Sequence, residues 1–305
     1  MTLELPMSDT AFSFLLEPFQ YPFMSRALFS GLFIATACAL LSCYLVLKGW
    51  ALMGDAVSHA VLPGIVIAYI TNVPLAVGAF LSGLLCSIIA GYLKENSRIK
   101  EDTVLGIVYS GMFALGLVLF NKIETSQHLP HILFGNMLGI SNSELVTSVF
   151  ICSLVTITLV LFRRDLLLYC FDKSHAHVSG LPVQLLHYFL LVMLSMTVVS
   201  AIQAVGVLMV VAMLVSPGIT ARVLSRRFNY MLPIAVAISI CSVYTGIIVS
   251  FTSDGSTSAC IVLTQTTFFV CSLTIRKSHT LFKNISSLMK LTTPQRSEKV
   301  RKKSN

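Results

Sequence analysis

The sequence predicts an all-α, polytopic integral membrane protein, and three observations carry that prediction. First, the 305 residues are 55% hydrophobic and only 11% charged, whereas soluble domains carry about 25% charged residues. So little charge cannot cover a water-facing surface, and the mean hydropathy is +0.84. Second, apolar runs recur at the length of roughly 20 residues that a helix needs to cross a bilayer. Third, the basic residues concentrate in alternate loops between those runs, as the positive-inside bias requires.

The runs fall at 27–47, 51–71, 74–93, 103–121, 143–162, 184–201, 203–221, 229–250 and 256–275, about nine spans. Lys48 follows the first run, and Lys94, Arg98 and Lys100 follow the third. Arg163, Arg164 and Lys173 follow the fifth, and Arg222, Arg226 and Arg227 follow the seventh. Nine more lie after the ninth, so all of the 21 except Arg26 and Lys122 belong to one side. That side is expected to be cytoplasmic, with the N-terminus outside, the C-terminus inside and an odd number of spans. The chain divides into an N-terminal lead-in over 1–26, a transmembrane domain over 27–276 and a basic tail over 277–305. The lead-in has no positive n-region and carries Glu4, Asp9 and Glu17, so it does not read as a cleavable signal. The net charge of +8 is the positive-inside bias plus a tail suited to anionic headgroups. No nucleic-acid role is expected.

Eight cysteines lie in or beside apolar runs without any Cys-x-x-Cys pair, and they read as small buried hydrophobes. The Gly-x4-Gly-Lys-Ser/Thr phosphate-binding pattern is absent from the sequence. Any ATP-driven work therefore belongs to a separate chain, and no catalytic residue is expected in this one.

Ionisable side chains are scarce within the runs. Glu144, His187 and Asp254 stand at or beside run ends, but Asp55 and His59 lie within the second run. A charged side chain in the membrane costs roughly 2.5–3.5 kcal/mol on the insertion scale and marks a functional site by default. Spacing i,i+4 puts the two on one helix face, about 6 Å apart along the axis, so carboxylate and imidazole can converge on one ion. Pro63 has no N–H and deprives the His59 carbonyl of its helical partner. Gly54 and Gly64 flank the pair and permit close backbone approach. Pro217 has the equivalent effect on the Met213 carbonyl. The competing reading is a polar contact between helices. As a metal site, two ligands fall short of the usual four. A twofold dimer about this helix would supply two Asp and two His, a mixed set suited to manganese, zinc or iron.

The run Met53–Gly64, with Gly54, Asp55, Ser58 and His59 as Gly-Asp-x-x-Ser-His, resembles the signature of the manganese/zinc/iron ABC importer permeases. Asp102–Val108, Leu133–Gly139, Phe171–Val183 and Gly206–Arg222 are similar to further segments of that family, and the resemblance covers about residues 27–276. It implies a permease pair, homodimeric or paralogous, in the bacterial cytoplasmic membrane. Two ATP-binding subunits would act on the cytoplasmic face, and an external metal-binding protein would deliver the ion. It implies that Asp55 and His59 line the metal path, with Gly54, Ser58, Pro63 and Pro217 at its helix breaks. It also implies that Phe171, Asp172, Ala176, His177 and Gly180 dock the ATPase. Here the docking segment has Ser174-His175 where the family commonly has Pro-Glu. No permanently bound cofactor is implied; the metal is cargo.

His128 and His131 flank Pro130 in the fourth loop and read as surface histidines, with metal relay as the alternative. His175 and His177 read as a polar face toward the ATPase, with metal sensing as the alternative. Two rival functions remain: a proton-coupled secondary metal carrier, and a non-transporting scaffold in which the pair only joins helices.

Overall fold

The computed structural model describes residues 20–97, 101–121, 137–225 and 227–292. The described residues are helical, without strands. The helices are α1 (Pro22–Lys48), α2 (Met53–Ile70), α3 (Leu75–Glu95), α4 (Glu101–Asn121), α5 (Asn142–Leu161), α6 (Arg163–Phe171), α7 (Lys173–Val178), α8 (Val183–Val205), α9 (Val207–Leu224), α10 (Phe228–Ser253) and α11 (Thr257–Thr292). Eight of the described helices are long and apolar enough to cross a membrane, and α9 supplies a shorter apolar helix. This agrees with about nine spans. His128, His131, Lys122, Arg226, residues 133–136 and residues 1–19 lie outside the described residues.

Local chemistry sets the boundaries. Pro22 opens α1, where a missing N–H costs nothing. Gly49, at φ +78°, closes it in the left-handed conformation. The Trp50 N–H then bonds the Leu45 carbonyl at 2.8 Å, a Schellman closure. α5 starts with a capping box: Ser141 Oγ accepts from the Glu144 N–H, and the Ser141 N–H donates to Glu144 Oε2 at 3.0 Å. Glu144 is thus a cap at a helix end. The Arg26 guanidinium donates to Asn142 Oδ1 at 3.2 Å and ties the start of α1 to the start of α5.

α1 is the hub, packed by α5, α8, α9 and α10. α2, α3 and α4 form a second cluster, and α9 packs on both α1 and α2. Small residues permit these approaches. A Cβ on Gly64 of α2 would strike the Gly78 carbonyl of α3, and a Cβ on Gly78 would strike the Gly64 carbonyl. Between apolar helices in lipid, such close packing is what drives association.

Candidate metal path

α2 carries the predicted pair, and neighbouring helices fix its course. On α3, Ser82 Oγ donates to the Ala60 carbonyl at 2.6 Å. On α4, Gly116 leaves room for Pro63: a Cβ there would lie 2.9 Å from the Pro63 nitrogen. Gly54 does the same for Leu214 of α9, where a Cβ would lie 2.8 Å from Cδ1. The Ser58 hydroxyl turns back to the Gly54 carbonyl at 2.7 Å, so it serves its own helix. Pro63 and Gly64 are buried, and α2 runs on through Pro63 to Ile70, so the expected break in the helix is not seen as an interruption of the element.

The structure brings Asp55 and His59 together. Asp55 Oδ1 and His59 Nε2 are 3.3 Å apart, and their side chains remain 28% and 29% exposed. The expectation of a pair within the run needs one refinement. Asp55 lies in the first turn of α2, whose free N–H groups favour a negative charge, so the helix end offsets part of the carboxylate's cost. His59 is held by two rings of α4. Tyr109 stacks on it at a centroid distance of 5.8 Å and an interplanar angle of 24°, and Phe113 meets it edge-on at 5.2 Å.

Both side chains open into a cavity of about 490 Å³. Its far wall is apolar: Val207, Val211 and Val215 of α9, and Phe269 of α11. Ser216 and Thr266 add hydroxyls. Among the described residues, no group of three or more His, Cys, Asp or Glu could hold a metal ion.

Pro217 lies inside α9, which continues through it to Leu224, beside α1. Ser42 of α1 bonds the turn around it: its hydroxyl accepts from the Gly218 N–H at 3.0 Å and lies 3.4 Å from the Val215 carbonyl, to which it donates. Gly206, at φ +81°, breaks the chain between α8 and α9.

The expected docking residues gather on α6 and α7. Asp172 Oδ1 caps α7, accepting from the N–H groups of Ser174 and His175 at 2.8 and 3.1 Å. Gly180, at φ +79°, closes α7, with the Leu181 N–H on the Ala176 carbonyl at 3.1 Å. Ala176 is buried, His175 and His177 are exposed, and Phe171 and Val178 are 81% and 84% exposed. Asp172, Ala176 and Gly180 therefore shape the segment, while Phe171, Val178 and His177 present its surface. A buried cluster holds α6 in place. Lys48 Nζ donates to the Tyr169 carbonyl at 3.1 Å and sits 3.8 Å from its ring centroid. The Tyr169 hydroxyl meets His187 Nδ1 at 2.9 Å, and Trp50 packs edge-on against His187. Burial raises the Tyr169 hydroxyl pKa above its ordinary value and pushes the Cys170 thiol up to about 12.

Sequence reasoning missed Tyr109, Phe113, Ser42, Ser82 and Gly116. Tyr109 and Phe113 have the i,i+4 spacing of one helix face, a signal that exists in the sequence but does not say which helix they meet.

Such a fold defines a polytopic membrane subunit with an Asp–His pair opening on a groove. Residues 20–276 match the model of the ABC 3 transport family, and the chain belongs to that family. It is a multi-pass membrane subunit of an ABC transporter, not itself an enzyme. It is 59% identical over 266 residues to a protein of Haemophilus influenzae named "Probable iron transport system membrane protein", covering 87% of this chain and 98% of that one. It is 48% identical over 259 residues to the "Manganese transport system membrane protein MntB" of Synechocystis, covering 85% of each. Among solved structures it resembles PsaBC from Streptococcus pneumoniae in complex with Fab, with TM-score 0.78 and 33% identity, covering 86% of this chain and 95% of that one.

Proposed function

We propose that the chain is the permease of an ATP-binding-cassette importer that carries a divalent transition metal across the bacterial cytoplasmic membrane. The observation that carries this is the Asp55–His59 pair, 3.3 Å apart and open to a groove, in a chain whose relatives are named for manganese and iron transport. A mixed oxygen and nitrogen donor set suits both metals, and zinc as well. The pair supplies half of a four-ligand site, and a second permease copy, identical or paralogous, supplies the other half. That copy also covers the groove. An external metal-binding protein delivers the ion, and an ATP-binding subunit engages Phe171, His177 and Val178. The basic ends at Lys48, Arg164, Arg222 and Arg276 face the cytoplasm. ATP hydrolysis in the partner shifts access to the pair from outside to inside.

The test is uptake of Mn²⁺ into vesicles holding this chain with its permease partner, its ATP-binding subunit and its delivery protein. Uptake is expected to require ATP and to vanish in Asp55→Asn. Uptake by this chain alone, driven by a proton gradient, would establish the secondary-carrier reading instead.

A further inference from the structure

We propose that the basic end of the bundle holds a binding site for one anionic phospholipid. A second cavity, of about 850 Å³, lies apart from the metal path. Its volume falls in the range of roughly 300–1,000 Å³ typical of small-molecule sites. Arg164, Arg222 and Arg276, from α6, α9 and α11, converge on it, and its walls include Leu47, Leu168 and Phe228, with Phe171 of the expected docking segment at its edge. Among the described residues, none that lines it is a carboxylate. The metal-path groove contributes none of its residues to this wall.

The position of the arginines identifies the occupant. Arg222 stands in the last turn of α9. Arg164 follows a span that ends at Leu161, and Arg276 directly follows the apolar run 256–275, inside α11, which continues to Thr292. All three therefore sit where apolar spans meet water, at headgroup level. Each side chain is largely exposed. Guanidinium groups pair with phosphate through two parallel N–H bonds, and the apolar wall accepts the upper acyl chain. Three positive charges select a lipid with net negative charge over a zwitterionic one, whose phosphate already carries its own cation. Anionic lipids concentrate at the cytoplasmic surface and attract basic groups there, which matches the side that the loop charges assign to this end.

The experiment is native mass spectrometry of the detergent-purified permease, titrated with dioleoyl-phosphatidylglycerol, with dioleoyl-phosphatidylcholine and with inorganic phosphate. Phosphatidylglycerol is expected to be retained in preference to phosphatidylcholine. Arg164→Gln with Arg222→Gln should cut that retention by about 25-fold, from about fivefold per basic residue at an anionic surface. Arg164→Lys with Arg222→Lys should keep most of it, and an unchanged elution volume and thermal midpoint show that both variants fold. Equal retention of the two lipids, or retention unchanged in the Gln pair, would overturn the proposal. Displacement of phosphatidylglycerol by millimolar phosphate would also overturn it, by assigning the site to a free anion. Loss of ATP-binding-subunit association in the Gln pair without loss of lipid would assign the cavity to a protein partner.

Discussion

Gly64→Ala separates α2 from α3 at their closest approach. The new Cβ would strike the Gly78 carbonyl and lie 2.5 Å from Ser82 Cβ and 2.8 Å from the Gly78 carbonyl carbon, against 3.4–4 Å for an ordinary contact. Two of these obstacles are backbone, so the helices must part by about 1 Å, and overpacking of this kind costs about 1–3 kcal/mol. Parting also strains the 2.6 Å bond from Ser82 to the Ala60 carbonyl, and interhelical bonds in membranes contribute about 0.6 kcal/mol on average. The sum is about 2–4 kcal/mol, or about 30- to 1,000-fold in the unfolding equilibrium. Gly111→Ala on α4 is the control, because nothing lies within 4 Å of its Cβ, and Ala in a helix gains up to about 1 kcal/mol over Gly. Reversible unfolding in mixed micelles measures both. Gly64→Ala should unfold well below wild type and Gly111→Ala at or above it. Equal midpoints for the two variants would refute the close-packing argument.

Three further outcomes follow from the same geometry. Ser42→Ala leaves the Gly218 N–H without its partner beside Pro217 and should lower stability by about 1–3 kcal/mol in the same assay. Asp172→Ala removes the cap of α7 and should weaken that helix by about 1 kcal/mol; reduced co-purification of the ATP-binding subunit, with the permease still folded, is the readout. Because the thiolate is the nucleophile and the Cys170 thiol is pushed up to about 12 by burial, a variant retaining only Cys170 should label with maleimide slowly at neutral pH. Labelling should speed up as pH rises toward that value, and on unfolding at any pH.

Much of the fold is legible in the sequence because lipid leaves few choices. Apolar length fixes the spans, and alternating charge fixes which ends lie together: Lys48 does meet Tyr169, and Arg164, Arg222 and Arg276 do share a cavity. The Asp55–His59 contact was legible because helical spacing alone decides it. Its environment was not. The stacking of Tyr109 on His59, or the hydrogen bond from the Gly218 N–H to Ser42, joins residues far apart in sequence whose periodicity is local. The docking segment shows a related gap. Its motif singles out Asp172 and Gly180, yet only the folded geometry reveals that the Asp172 carboxylate caps α7 and the positive φ of Gly180 closes it, leaving the exposed surface to Phe171 and Val178.

The central claim is that Asp55 and His59 form half of a metal site completed by a second permease copy. Electron paramagnetic resonance of Mn²⁺ titrated into the purified permease pair tests it most directly. The account predicts one Mn²⁺ per two permease chains, with nitrogen coupling from histidine, and loss of that ion in Asp55→Asn and in His59→Gln. One Mn²⁺ per single chain, or the same bound ion after both substitutions, would contradict it.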